Sequence, residues 1–298
     1  MPLFFGIGVI FAPIGGALLY ASAKVQEISI DYSHCTRDAP QCPTFDDIPS
    51  SAVESHFKNE TTIGNQPTWC QEVTPVSYGL NDEVTLDTPT CRVQWQSPDR
   101  LAAPVLLYYR LTNFYQNHRR YVRSFDQQQL EGNARDNSSL SSSDCDPLQI
   151  EESTGKAYYP CGLIANSLFN DTFLPPVFLN TGGSSASNTT YNMTDRGIAW
   201  SSDKDLYGDT EYEYGAVVPP QNWQRRMPAY NSTFPFPNLK EFEAFQVWMR
   251  TAGLPTFTKL ALRNDDEAME IGRYEMVIYD GKFQQSTLDP TTRSRTND

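Results

Sequence analysis

The sequence predicts an α+β, β-dominated body carried on one N-terminal transmembrane helix, and three observations predict it. The first 23 residues hold no charged side chain. The remainder holds six cysteines and six Asn-x-Ser/Thr acceptors. Finally, 21 prolines and long Ser/Thr/Asn stretches favour a loop-rich, strand-built body over a helical bundle.

The run Pro2 to Ala23 (PLFFGIGVIFAPIGGALLYASA) suits a hydrocarbon core of about 30 Å, which takes roughly 20 apolar residues. A signal peptide would show a basic leader and a shorter apolar core, whereas only Met1 precedes this run. Residues 1–23 are therefore expected to form a transmembrane helix, 24–280 a single ectodomain and 281–298 a polar disordered tail. Gly8, Ala12 and Gly16 stand four apart on one helical stripe, where small side chains let a partner helix approach closely in lipid. The alternative is that Gly and Ala are simply common in such helices.

Asn59, Asn137, Asn170, Asn188, Asn192 and Asn231 are the glycan acceptors, and such sites are used on the lumenal or extracellular side. That orients the body outward. Cys35, Cys42, Cys70, Cys91, Cys145 and Cys161 are even in number, lie outside the apolar run and contain no CxxC pair. An oxidising compartment and disulfides follow, while metal or redox use does not. Sixteen Tyr, sixteen Phe and five Trp furnish a core. The net charge of -13 argues against any nucleic-acid partner.

Along the chain, Val25 to Tyr32 alternates as a half-buried strand does. Residues 34–100 hold four cysteines and little periodicity, which predicts an irregular stapled lobe with short strands near Val84 to Leu86 and Arg92 to Trp95. Ala103 to Arg110 reads as a buried strand, followed by a helix from an N-cap at Thr112 or Asn113 through Ser124. Its apolar face would include His118, and its wet face Arg119, Arg120 and Arg123. Residues 131–147 and 181–194 read as polar surface loops. A second helix is signalled by Asn238 with Glu241 three residues on, carrying Leu239, Phe242, Phe245, Trp248 and Ala252 as a stripe before Gly253 and Pro255. Arg273 to Tyr279 reads as a late strand.

Catalytic patterns are scarce. His34, His56 and His118 are the only histidines, and no HExxH, GxSxG, GxGxxG or P-loop occurs. Asp144-Cys145-Asp146 and Asp203-Lys204-Asp205 could clamp a metal in a type II lumenal glycosyltransferase. Aspartate is frequent enough that about 1.5 such triplets arise by chance. A structural glycoprotein without catalysis is the remaining alternative.

Tyr108 to Val122 (YYRLTNFYQNHRRYV), Pro160 to Phe173 (PCGLIANSLFNDTF), Gly197 to Lys204 (GIAWSSDK) and Trp248 to Phe257 (WMRTAGLPTF) closely resemble the signature blocks of the cell division control protein 50, or ligand-effect modulator, family. The resemblance runs in order from the apolar segment to about Asp280. Members of this family are non-catalytic beta subunits of type IV P-type ATPases, the phospholipid flippases. The resemblance implies a glycosylated, sandwich-like ectodomain of antiparallel β-sheets with a few short helices, needing no cofactor. It implies a partner, the ATPase catalytic subunit in a lipid membrane, which it would escort from the endoplasmic reticulum and stabilise while lipid moves from the exoplasmic to the cytoplasmic leaflet. The compartment implied is a secretory or endosomal membrane. It further implies the bridges Cys35–Cys91, Cys42–Cys70 and Cys145–Cys161, and Asn170 as the most reliably used acceptor. Family members carry a cytoplasmic tail before the first span and a second span after the ectodomain. This sequence opens at its apolar run and shows no second one, so a shortened chain or a variant lacking one anchor is expected.

Overall fold

The computed structural model describes residues 2–58, 66–180 and 187–281. In chain order these give α1 (Pro2–Ser22), β1 (Glu27–Ile30), α2 (Cys35–Asp38), β2 (Asp46–Asp47), β3 (Val53–His56), β4 (Thr68–Tyr78), β5 (Val84–Ser97) and β6 (Val105–Leu111). Then come α3 (Arg119–Arg123), α4 (Gln127–Leu130), α5 (Asn137–Ser141), β7 (Ala157–Tyr158), α6 (Leu163–Asn166), β8 (Thr172–Phe173) and β9 (Val177–Leu179). The last are β10 (Thr189–Thr190), α7 (Ser201–Lys204), β11 (Val217–Val218), α8 (Glu243–Met249), β12 (Phe257–Asn264) and β13 (Gly272–Tyr279).

The largest sheet runs β10-β9-β13-β5-β4-β2, with β8 also on β13. Its centre is β13, antiparallel to β5 from Gly272↔Ser97 to Tyr279↔Thr90. The pairs β1–β3 and β6–β12 are separate and antiparallel; β7 and β11 pair in parallel over two residues. One core packs Val93, Trp95, Tyr274, Met276 and Ile278 of the large sheet with Ile28, Val53 and Leu107 from the smaller pairs. A second core gathers Tyr158, Tyr159, Tyr230, Leu239 and Phe245.

Residues 34–100 are not an irregular lobe. They are dominated by the β4–β5 hairpin, whose register runs unbroken from Thr68↔Gln94 to Tyr78↔Val84. Pro75 and Pro89 hid it. A proline cannot donate to a ladder, but it is tolerated on an open edge. Pro75 lies where β4 has lost β2, which reaches only Thr68 and Trp69, and Pro89 lies one residue beyond the reach of β13. Disulfides Cys35–Cys91 and Cys42–Cys70 fasten α2 and the loop after it to this hairpin, and Cys145–Cys161 closes a third loop.

The helices are shorter than their patterns suggest. Thr112 to His118 is not helical, because Asn113 takes a left-handed φ of 58° and Phe114 N donates to Pro255 O. The cap of α3 is instead His118, whose Nδ1 accepts from Arg120 N at 3.3 Å. His118 is exposed rather than on an apolar face. In α8 the stripe is right, with Phe245 and Trp248 buried, but Asn238 Oδ1 accepts from Lys240 N and Glu241 N in a turn before the helix. The expected loop 131–147 contains α5, capped by Asp136 through Ser139 N at 2.7 Å. The expected buried strand near Ala103 is half-exposed, with Tyr108 facing out.

Helix α1 covers 21 residues and contains Pro13. The side chains of Leu3 and Phe5 fall outside its described part, and among the described residues no helix is long and apolar enough to cross a membrane. The expected tail lies outside the described residues from 282 onward, as does Asn59.

Candidate interaction site

Three of the four signature segments meet around Trp248, and the fourth, Gly197 to Lys204, joins them through Glu243 of α8. The Trp248 indole is buried and donates through Nε1 to Ile164 O at 2.8 Å, joining α8 to α6. Phe114 packs edge-on against it with centroids 5.6 Å apart, and Tyr109, Tyr121, Phe169 and Phe257 complete the cluster. Tyr121 OH and Ser167 Oγ lie 2.7 Å apart, linking α3 to the end of α6. The segment PCGLIAN can approach so closely because Gly162 has a φ of 99° and a Cβ there would stand 2.1 Å from Ser124 O.

Two buried charges pin this cluster. Glu243 is 4% exposed and accepts from Lys204 Nζ at 2.8 Å and Ala199 N at 3.0 Å. Burial alone would raise its carboxyl, but hydrogen bonds from Lys204 and from the Ala199 and Gly197 amides outweigh that and hold it at about 2. The segment GIAWSSDK is thereby tied to α8. Lys259, on β12, sends its ammonium under the end of α8, to Val247 O at 2.8 Å and to Arg250 O. Those carbonyls lack intrahelical partners, and a cation there suits the helix C-terminus. Desolvation, helped by Arg250, lowers this lysine to about 8.

The sequence patterns did not single out Glu243 or Lys259. A signal existed for the lysine: on β12 it shares the inward face with Phe257 and Ala261, and a charge at such a slot needs a buried partner.

Outside the cluster the same segments expose apolar side chains. Trp200 is 66% exposed, with the Arg250 guanidinium 4.4 Å from its ring centre. Tyr115 and Leu254 are 58% and 70% exposed. Their loops are stitched together by Phe114 N to Pro255 O and by Asn117 Nδ2 to Gly253 O, both 3.0 Å. Arg250 also pairs with Asp203 at 3.2 Å, which holds Trp200, α7 and the end of α8 as one rim.

The other sequence candidates are dispersed. Asp146 pairs with Arg120 and Asp203 with Arg250, so each Asp-x-Asp triplet has a carboxylate in an ion pair. No group of metal-ligating side chains gathers among the described residues. Gly8, Ala12 and Gly16 face open space, with nothing within 4 Å of where a Cβ would stand on either glycine. Asn137, Asn188, Asn192 and Asn231 are exposed, while Asn170 is half-buried.

A model of the ligand-effect modulator 3 (LEM3) / CDC50 family matches residues 18–288. The chain is 41% identical over 279 residues to the phospholipid-transporting ATPase accessory subunit CDC50 of Chaetomium thermophilum, covering 91% of this chain and 67% of that protein. It is 39% identical over 274 residues to accessory subunit CRF1 of Saccharomyces cerevisiae, covering 92% and 65%. To cell cycle control protein 50A of Mus musculus it is 33% identical over 273 residues, covering 87% and 62%. The chain spans about two thirds of the length of these relatives.

Proposed function

The chain belongs to the LEM3/CDC50 family, and from that premise we propose that it is the accessory subunit of a phospholipid-transporting, type IV P-type ATPase. It carries out no chemistry of its own. Its part is to bind the catalytic subunit, support its exit from the endoplasmic reticulum, and favour some states of its cycle over others. Only a difference in affinity between those states can shift them.

The observation that carries this reading is the joining of the four family segments, three in the Trp248 cluster and the fourth tied to α8 through Glu243, in an arrangement that leaves Trp200, Tyr115 and Leu254 exposed. Rigid, exposed aromatic and aliphatic side chains beside an arginine are what protein interfaces are centred on. In this reading the body is a sandwich-like ectodomain on the lumenal or extracellular side of a secretory or endosomal membrane, and α1 is its span. The acceptors Asn59, Asn137, Asn170, Asn188, Asn192 and Asn231 carry glycans, and the Gly8, Ala12 and Gly16 stripe packs against a helix of the ATPase.

Co-expression with a type IV ATPase and co-purification in mild detergent tests it. Trp200→Ala combined with Leu254→Asp should lower ATPase recovery at least about tenfold, the scale of a lost interface hot spot, with thermal unfolding of the ectodomain unchanged. Undiminished recovery would remove the rim from the interface, and no recovery by the unsubstituted chain would sink the accessory-subunit reading. Gly8→Leu with Gly16→Leu asks the same of the stripe, and full recovery there would place the contact elsewhere.

A further inference from the structure

A cleft of about 860 Å³ opens beside the β12 edge, within the size range of ligand pockets. Phe169, Phe173, Trp223, Phe236, Leu260 and Leu262 give it an apolar, aromatic lining, with Asp195, Asn222 and Arg226 among its polar groups. One wall is fixed: Phe169 stacks on Tyr109 with ring centroids 3.9 Å apart, which ties it to the Trp248 cluster. The acceptor Asn170 lies in that wall, between Phe169 and the rest of its own acceptor sequence, Asp171 and Thr172, all of which line the cleft. Asn137, Asn188, Asn192 and Asn231 do not line it. On its other side Asn170 meets Gly281, whose carbonyl accepts from Nδ2 at 3.0 Å and where a Cβ would stand 2.4 Å from the Asn170 side chain. Gly281 belongs to a small neighbouring pocket; Tyr78, Asn170, Asn222 and Arg226 border both.

We infer that the inner N-acetylglucosamine residues of a glycan on Asn170 fill this cleft. The inference rests on Asn170 being a used acceptor on a lumenal or extracellular body. A sugar ring presents C–H faces as well as hydroxyl and acetamide edges. Its C–H faces suit aromatic rings, whose faces carry partial negative charge, and its edges find donors and acceptors in Asn222, Arg226 and Asp195. Attachment supplies the rest. A sugar bonded to a side chain of the wall is presented at an effective concentration in the millimolar range, so contacts too weak to hold a free sugar hold a tethered one. The same packing takes the half-buried rings of Phe169, Phe173, Trp223 and Phe236 further out of water.

Release by peptide-N-glycosidase from the native full chain in detergent tests this, read site by site as the Asn-to-Asp conversion in peptide mass spectra. Release at Asn170 should be about tenfold slower than at Asn231, because the seated sugar has to leave the cleft first. Leu260→Ser with Leu262→Ser, which alters the lining without touching the acceptor sequence, should bring the Asn170 rate up towards that of Asn231. Equal rates in the parent chain would overturn the proposal. So would slow release unmoved by the two substitutions, which would leave the half-burial of Asn170 itself as the cause, and slow release seen only in the ATPase complex, which would make the partner the cover. Thr172→Ala gives an independent reading, since it abolishes the glycan and keeps the Asn170 side chain. Amides of Leu260 to Leu262 should then exchange with solvent about tenfold faster, as a local opening does, with the β5–β13 ladder unmoved; equal exchange would refute the seat. A parent chain without any glycan at Asn170 would refute it too, while ATPase recovery, the measure of the accessory role, would be unaffected.

Discussion

The β4–β5–β13 sheet and the Trp248 cluster stabilise themselves by opposite means, and the contrast shows where this protein is fragile. In the sheet, hydrogen bonds are repetitive backbone ladders, with two disulfides fastened to the hairpin. Removing one side chain leaves the ladder standing. In the cluster the helices are four to seven residues long, too short to hold themselves, and individual side chains bond particular backbone carbonyls: Trp248 to Ile164 O, Lys259 to Val247 O and Arg250 O, Gln246 to Leu239 O at 2.8 Å. Each such joint is unique. The proposed partner-binding rim is therefore built on the less redundant half.

The largest effect should come from Trp248→Ala, which removes both the ring and the Ile164 bond. Its expected cost is about 3 to 5 kcal/mol, against roughly 2 for Val93→Ala in the sheet core, read by chemical denaturation under non-reducing conditions. Equal losses would erase the contrast. Next is Cys42→Ala with Cys70→Ala: a bridge closing 28 residues contributes about 2 to 4 kcal/mol in the chain-entropy account. Because the ladder remains, the variant should unfold earlier yet keep its far-ultraviolet β signal below the transition.

Titration separates the regions as well. Glu243 is held at about 2 in the folded chain against an ordinary 4.5. Its folded value is depressed, so its stabilisation is present above pH 4.5 and lost as pH falls from there towards 2. Lys259 is lowered to about 8 from 10.5; between those values the unfolded chain binds the extra proton, so stability from this group rises with pH. Buried tyrosines such as Tyr109 and Tyr207, raised chiefly by burial, act in the other direction above about pH 10. Comparing Glu243→Gln and Lys259→Met with the parent chain should flatten the acid limb and the rise between pH 8 and 10 respectively. A Lys259→Met curve parallel to the parent would show that the ammonium is not desolvated.

Much of the cluster was legible as resemblance and little of it as periodicity. The α8 stripe through Phe245 and Trp248 followed the helical repeat and is buried. The segment from Thr112 to His118 also follows that repeat but is not helical, since Asn113 turns left-handed and Phe114 N is taken by Pro255 O. A tertiary bond overrode a local pattern. For the hairpin the failure was of another kind. Pro75 and Pro89 are strand breakers only where a neighbour needs their N–H, and both sit on open edges. Strand neighbours are long-range facts, and a local reading of residues 34–100 does not contain them. The β13 strand, with no proline and a run of aromatic and β-branched residues, was read to within one residue.

The smallest effect concerns two glycan acceptors that differ in the atom left free. In Asn231, Oδ1 accepts from Thr233 N at 2.8 Å and Phe234 N at 2.9 Å, an Asx turn that leaves Nδ2, the atom a glycan is attached to, turned away from that bond. The residue is exposed. In Asn170 it is Nδ2 itself that donates, to Gly281 O, and the residue is half-buried. A glycan on Asn170 would replace one of the two Nδ2 hydrogens and share the half-buried surroundings of this side chain with Gly281, so attachment is expected to be easiest before Asp280 and Gly281 are seated. Asn231→Gln should remove one full glycan step in glycosidase-sensitive mobility. Asn170→Gln should remove a step from only part of the population, and Gly281→Ala, which unseats the chain, should bring Asn170 towards full use. Complete occupancy of Asn170 with Gly281 unchanged would show that the glycan wins the competition outright and that the 3.0 Å bond belongs only to the unmodified chain.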